Sequence, residues 1–352
     1  MNERIRKLRD ELDGTGAATF LVSDGVNVGY LTGFESSNAV ALVSADGVKV
    51  VTDGRYIEAA RGLADVEAVH AGRELAPWLG ERLGELAEPP VAFEADHLTV
   101  TQHGAIASSE LALVATNGVV KRLRAVKDEE ELDAVRRAAR ILMDAFDRLA
   151  GEDVVGLTEA EVAWWMERAI REEGAHAIAF DVIVASGPNA SVPHHHPGSR
   201  TIETGETVIV DAGAQVDGYC SDCTRTFATG PLSEELQRAY AVCRTAQEQA
   251  LDAVRPGKGA RELDAIARRT IEASGMADVL HGLGHGVGRE IHEAPRLADT
   301  SEETVEAGNV VTVEPGVYLA GRGGVRIEDL VIVTEDGVDV LTPFTKDLLI
   351  LD

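Results

Sequence analysis

The chain has 352 residues, 45% of them hydrophobic, with 60 Asp and Glu against 33 Lys and Arg, a net charge of −27. That length favours two domains over one. The charge speaks against nucleic acid and against anionic membrane surfaces, because both need clustered basic side chains.

No apolar run approaches the ~20 residues of a membrane span. Met1 to Asp13 carries charges of both signs, with Ile5, Leu8 and Leu12 at helical spacing. An amphipathic helix is expected there, not a signal peptide, which needs an apolar h-region. A cytoplasmic location follows as the default, with no membrane and no nucleic acid as partner. Three cysteines give no disulfide framework.

Along the first third, helix-like and strand-like segments alternate. Residues 18–23 read as a strand, followed by a turn at Asp24-Gly25. A strand pair is predicted over 39–44 and 48–52, joined by Asp46-Gly47, a strong hairpin dipeptide. Helices are predicted over 55–63 and 75–87, and the Glu88-Pro89-Pro90 break precedes a strand at 91–94. A charged segment, 121–140, then carries Leu123, Val126, Leu132, Val135 and Ala139 on a helical stripe. The domain boundary is placed near its start, around residue 122. Helices are expected over 128–150, 158–173, 233–254 and 260–274, and strands over 180–185, 207–212, 215–225, 309–313 and 330–334. The fold class is α/β, in the broader α+β sense, with two domains, 1–122 and 123–352.

Five residues of metal-ligand type stand in order in the second domain: Asp211, Asp222, His285, Glu314 and Glu328. Four carboxylates and one imidazole suit two hard or borderline divalent cations better than one structural zinc. Asp211 and Asp222 flank a hairpin turning at Val216-Asp217-Gly218. Inward carboxylates at facing positions of two antiparallel strands would meet at one point; the alternative is a pair of surface aspartates. Asp is poorly suited to strand interiors, and Asp211 ends the apolar run Val208-Ile209-Val210. A buried carboxylate there needs a cation or donors.

Gly282-Leu283-Gly284-His285-Gly286-Val287-Gly288 has glycine at every second position. No Gly-Lys-Ser/Thr follows, so it is not a phosphate loop, and that much glycine opposes a helix. An extended, close-packed backbone presenting His285 is expected. Glu314 and Glu328 each end a strand-like run. Cys220-Ser221-Asp222-Cys223 lacks the second pair of a zinc ribbon and is read as packing. His194-His195-His196, set between Pro193 and Pro197, reads as a rigid loop offering one or two imidazoles to a cleft.

With these motifs in place, the chain resembles the Xaa-Pro peptidase family, which includes prolidase and aminopeptidase P. Asp211-Ala-Gly-Ala, His281-Gly-Leu-Gly-His285, Glu314-Pro-Gly and Arg326-Ile-Glu328 carry the likeness in the second domain. Tyr30-Leu-Thr-Gly-Phe34 and Thr52-Asp-Gly-Arg-Tyr56 carry it in the first. The resemblance implies a creatinase/prolidase-like N-terminal α/β domain followed by a pita-bread catalytic domain. It implies two divalent ions, Mn²⁺ by expectation with Co²⁺ or Zn²⁺ possible, bridged by Asp222 and Glu328. Asp211 would complete one ion's shell, and His285 and Glu314 the other's. Two-metal logic then implies an activated water attacking the carbonyl before proline. Glu314 would shuttle its proton, His292 would steady the oxyanion, and His194 would join them. His281 and Arg326 would bind substrate, Arg326 pairing with a carboxylate of the product or with a nearby acid. The implied substrates are proline-containing di- or oligopeptides, Xaa-Pro dipeptides first and longer N-terminal Xaa-Pro peptides as the alternative. A non-catalytic pita-bread binding protein is the reading of another class. A homodimer whose N-terminal domain helps wall the cleft is the family expectation.

Overall fold

The computed structural model describes residues 3–351 and forms two compact units, Met1–Arg124 and Ala125–Asp352. In the first unit the opening helix, Glu3–Thr15, buries Ile5, Leu8 and Leu12; Met1 and Asn2 lie outside the described residues. Six strands form one mixed sheet in the order Glu67–His70, Val48–Thr52, Ala39–Ser44, Thr19–Val22, Val91–Glu94, Leu113–Thr116. Side chains alternate across it, as the pleat requires. Phe20, Val22 and Ala92 join one apolar layer with the opening helix, while Leu21, Val91 and Phe93 join the other with Leu79, Leu83 and Ile106.

The expected strand pair 39–44 and 48–52 forms in full. The turn expected at Asp24-Gly25 is instead a helix start. Asp24 Oδ1 accepts from the Val26 amide at 2.9 Å, and a helix runs Gly25–Thr32 to a left-handed Gly33. Its two glycines and two valines carry little helical propensity. Burial of Val28, Tyr30 and Leu31 supplies what propensity does not. The helix expected over 55–63 contracts to Ile57–Ala60.

The charged stripe 121–140 is two helices, Val119–Ala125 and Glu129–Leu149. Asp128 divides them. Its side chain accepts from the Glu131 amide while Glu131 Oε2 accepts from the Asp128 amide, a reciprocal cap that starts the second helix.

The second unit has two halves of like construction. Helices Glu129–Leu149 and Glu159–Glu172 lie on a three-stranded sheet ordered Cys223–Ala228, Thr207–Ala212, Ile183–Ser186. Helices Glu234–Ala253 and Ala260–Ser274 lie on a five-stranded sheet ordered Glu293–Leu297, Gly284–Gly286, Val310–Val313, Asp329–Val333, Val338–Val340. Buried polar contacts stitch the halves. Thr226 and Arg326 exchange a hydrogen bond each way, and Arg225 Nη2 reaches Asp329 Oδ1 at 2.9 Å. A core of Phe146, Phe227 and Phe344 locks the first half, with ring centroids 5.7–6.4 Å apart. No helix among the described residues is long and apolar enough to cross a membrane.

Phe146 is fully buried at the centre of that aromatic core. Phe146→Ala is expected to cost about 3–5 kcal/mol in urea unfolding, the range for deleting a buried ring into a packed interior.

Candidate metal centre and active site

Asp211 and Asp222 come together, though not at facing positions. Thr207–Ala212 pairs with Cys223–Ala228 so that Asp211 opposes Thr224, leaving Asp222 two residues further on. The single strand expected over 215–225 is broken at Ser221-Asp222, where the Ser221 hydroxyl holds the Ala214 amide at 3.1 Å. The hairpin tip is at Asp217-Gly218, both at positive φ, between Val216 and Tyr219. Asp222 thus sits on the break and points where Asp211 points.

Oxygens of Asp211, Asp222 and Glu328 lie within 4.8 Å of one another, all buried. His285 Nε2 stands 3.7 Å from Asp222 and 3.3 Å from Glu314 Oε1, so the five residues form one contiguous set. His285 Nδ1 is directed at the Gly286 carbonyl at 3.1 Å. A proton on Nδ1 suits that contact, and Nε2, facing the acids, would then offer its lone pair to a cation bound among them.

The acids are crowded. Burial, then Glu328, Asp211 and Glu314, drive the Asp222 carboxyl far above the usual range. Burial, then Glu314 and Asp211, do the same to Glu328. Asp211 Oδ1 and Glu328 Oε1 are buried without a hydrogen-bond donor. Bare acceptor oxygens in a polar pocket fit a cation, which would satisfy them and relieve the mutual repulsion together. The oxygen-rich donor set with a single imidazole fits hard or borderline divalent metals.

The alternating glycines explain how His285 arrives. A Cβ on Gly284 would lie 2.1 Å from the Thr312 carbonyl oxygen, and one on Gly286 2.1 Å from that of Ala294. The backbone of Gly284–Gly286 is wedged between its two neighbours, Val310–Val313 and Glu293–Leu297. Glu314 follows directly after Val313, its amide held by the Leu283 carbonyl at 2.8 Å.

Asp211, Asp222, His285 and Glu314 line a cavity of about 470 Å³ that also exposes His194, His281, His292 and Arg326. The His292 ring stands edge-on to His285, centroids 4.3 Å apart. Partial enclosure and the neighbouring His285 hold it below the ordinary imidazole pKa. Arg326 takes the nearby acid as its partner: Nη2 donates to Asp211 Oδ2 at 2.7 Å, Nη1 to Tyr318 and the Pro193 carbonyl, Nε to Thr224. His281 has both ring nitrogens engaged, Nδ1 with the Gly282 carbonyl and Nε2 with the Tyr318 hydroxyl. Both residues thus brace the cleft wall through Tyr318. The three cysteines are buried and free, as packing residues should be, and burial pushes the Cys220 thiol up to about 11 and that of Cys243 to about 12.

A Metallopeptidase family M24 model matches residues 133–335, and a Creatinase/Prolidase N-terminal domain model matches residues 4–126. The chain belongs to metallopeptidase family M24. Among its relatives in this family is the uncharacterized peptidase YqhT of Bacillus subtilis, 37% identical over 352 residues, 99% of this chain and all of that one. An Xaa-Pro dipeptidase structure from Bacillus anthracis superposes with a TM-score of 0.94 at 37% identity, covering 99% of both chains. An X-Pro aminopeptidase structure from Thermotoga maritima gives 0.88 at 31% identity, covering 99% of this chain and all of that one. The protein is a peptidase with the creatinase/prolidase N-terminal domain and the M24 C-terminal domain expected from its motifs.

The M24 cleft also holds residues that the sequence reading missed. Tyr318 binds both His281 and Arg326; its signal in the sequence was a tyrosine between Val317 and Leu319, three residues past Pro315. Phe180, Ile183 and Ile291 give the cavity an apolar wall, and Arg296 lies on its lining with an exposed side chain. Lys127 Nζ meets Glu293 Oε2 at 3.0 Å, both side chains nearly sealed, and Glu293 Oε1 accepts from the Glu290 amide. That pair clamps the turn carrying His292.

Removing one of the crowded charges has opposite consequences with and without metal. Asp222→Asn is expected to raise the unfolding temperature of metal-free protein by a few degrees, since ~1 kcal/mol moves Tm by about 2–4 °C in a domain of this size. A divalent ion that binds the cluster is expected to raise the unfolding free energy of the wild type by about 2.7 kcal/mol at a hundredfold excess over Kd, and the variant to lose that rise. Paired thermal scans with chelator and with metal read both.

Proposed function

We propose that this M24 peptidase hydrolyses the peptide bond before proline, acting on Xaa-Pro dipeptides, with two divalent ions, Mn²⁺ in the first place, held by Asp211, Asp222, His285, Glu314 and Glu328. The observation that carries this reading is the buried acid cluster with its bare oxygens, opening on a cleft lined by histidines. Asp222 has Asp211 and Glu328 on one side and His285 on the other, and Glu328 feels both Glu314 and Asp211. Such central positions suit residues shared between two ions. Co²⁺ or Zn²⁺ would satisfy the same donors. The structural likeness to an Xaa-Pro dipeptidase and to a prolidase supports the substrate class.

Bound divalent ions would supply Lewis acidity and bring the pKa of water toward neutrality. The chain's own residues do the rest. Glu314 takes the proton from the attacking water and passes it to the proline nitrogen as the C–N bond breaks. His292 donates a ring N–H to the carbonyl oxygen as negative charge grows there, and His194 assists from the same cavity. His281, Tyr318 and Arg326 keep the wall and Asp211 in place. A tertiary amide before proline offers no N–H, so shape must select it, and the Phe180–Ile183–Ile291 wall provides an apolar surface for that.

Arg296 favours the dipeptidase over the aminopeptidase. Its guanidinium forms no ion pair among the described residues. A free carboxylate one residue past the scissile bond exists only in a dipeptide, and it suits an unpaired arginine. We extend the reading to a cytoplasmic homodimer without nucleic-acid or membrane partners. Three free buried cysteines, a net charge of −27 and the family resemblance support it.

With Mn²⁺ supplied, kcat/KM for Xaa-Pro is expected to exceed that for Xaa-Pro-Yaa and longer peptides, a length series that would reverse for an aminopeptidase. Bound metal with no hydrolysis of either substrate would sink the enzyme reading in favour of a binding protein. Glu314→Ala is expected to fold and to lower kcat by about 10²–10⁴-fold, the usual share of a positioned acid–base group. Near-normal turnover would remove the shuttle role.

A further inference from the structure

The three consecutive histidines do not act alike. His194 lines the cavity, whereas Nε2 of His195 meets Glu159 Oε2 at 2.8 Å. Glu159 opens the helix Glu159–Glu172, and its side chain is fully buried. It accepts from the Ser186 amide and hydroxyl, both at 2.8 Å, from Asn189 Nδ2 at 3.0 and 3.1 Å, and from the Gly198 amide at 3.4 Å. One carboxylate therefore grips the stretch 186–198 at its beginning, middle and end. On the other side, Arg326 Nη1 donates to the Pro193 carbonyl at 3.1 Å. His194 stands between a residue held by Arg326 and a residue held by Glu159.

We propose that Glu159 and His195 are positioning residues, a buried latch that fixes the 186–198 segment and so aims His194 into the cleft. The proposal rests on the reading of His194 as an active-site residue. Its physical basis is preorganisation. Past the short 3₁₀ turn Gly187–Ser191, residues 192–198 have no helix or strand to stiffen them, and a catalytic side chain on such a stretch must be fixed by bonds to its neighbours. The chemistry of the latch is one-directional: every partner is a donor, so an acceptor-only carboxylate satisfies them all, and His195 must carry its proton on Nε2. Burial opposes the charge, but the Ser186 amide, His195, the Ser186 hydroxyl and Asn189 outweigh it and hold Glu159 below its ordinary pKa.

The test is a double-mutant cycle on the metal-loaded full chain with an Xaa-Pro dipeptide. His195→Phe leaves Ser186, Asn189 and Gly198 on Glu159, so folding is retained; metal content and unfolding temperature verify that. It is expected to lower kcat roughly 10-fold with KM within about 2-fold, the signature of a misaimed catalytic group. His195→Gln, which keeps an N–H for Glu159, is expected to recover kcat to within about 3-fold of the wild type. In a His194→Ala background, His195→Phe is expected to cost less than about 2-fold more, because the latch then has nothing to aim. Full activity in His195→Phe, failure of His195→Gln to recover, or losses that multiply in the double variant would each overturn the latch. So would a His194→Ala variant as fast as the wild type, an outcome that leaves the peptidase reading intact. If the wild type cleaves no Xaa-Pro peptide, that reading fails separately. Amide hydrogen exchange over residues 187–198 then decides the latch: faster in His195→Phe supports it, unchanged overturns it.

Discussion

Three buried carboxylates within 4.8 Å of one another form the constraint on which the second unit depends. Two like charges 4 Å apart repel by roughly 4 kcal/mol at an effective dielectric of 20. Three such pairs approach the whole net stability of a domain, about 5–15 kcal/mol. Arg326 pairs with Asp211 only and cannot neutralise the set. Protons or cations must supply the remaining positive charge, and the bare oxygens of Asp211 and Glu328 are shaped for cations.

The scaffold around this cluster is built so that the acids cannot relax apart. Asp211 and Asp222 come from one half of the unit, His285, Glu314 and Glu328 from the other. The seam between the halves is closed by buried polar groups. Thr224 Oγ1 donates to Glu328 Oε2 at 2.9 Å, and Arg225 binds the Glu328 carbonyl and Asp329. Glycines at 284 and 286 let three strands approach closely enough to bring His285 into line. Stability and chemistry are therefore coupled: the contacts that join the halves also set the spacing of the ligands.

The cleft is rigid for a second reason. Two of its walls are each tied down by a buried carboxylate close to a cavity histidine's segment. Glu293, paired with Lys127, sits beside His292; Glu159, paired with His195, holds the segment of His194. Tyr318 links His281 and Arg326 on the wall between. His281 and His285 are held by their own hydrogen bonds and His194 and His292 through their chain neighbours, which suits chemistry that depends on where a carbonyl oxygen and a leaving nitrogen are held.

Much was legible from residue types and local order. The five ligand-type residues, the strand pair 39–44 and 48–52, the long helices and the extended, close-packed backbone of the glycine run all follow from local chemistry: turn dipeptides, helical stripes, and acids stranded at the ends of apolar runs. What local chemistry could not reveal were partners distant in sequence. Asp222 faces Asp211 diagonally because Ser221 interrupts a strand that its residues would continue. The helix Gly25–Thr32 forms against its own propensity because the sheet buries it. Arg326 reaches Asp211 across 115 positions, and His195 reaches Glu159 across 36. The sequence by itself determined which atoms could bind metal and move protons, since that is a property of side chains. Only the tertiary structure decided which of them share a cavity and which serve as braces, because both depend on distances that folding alone sets.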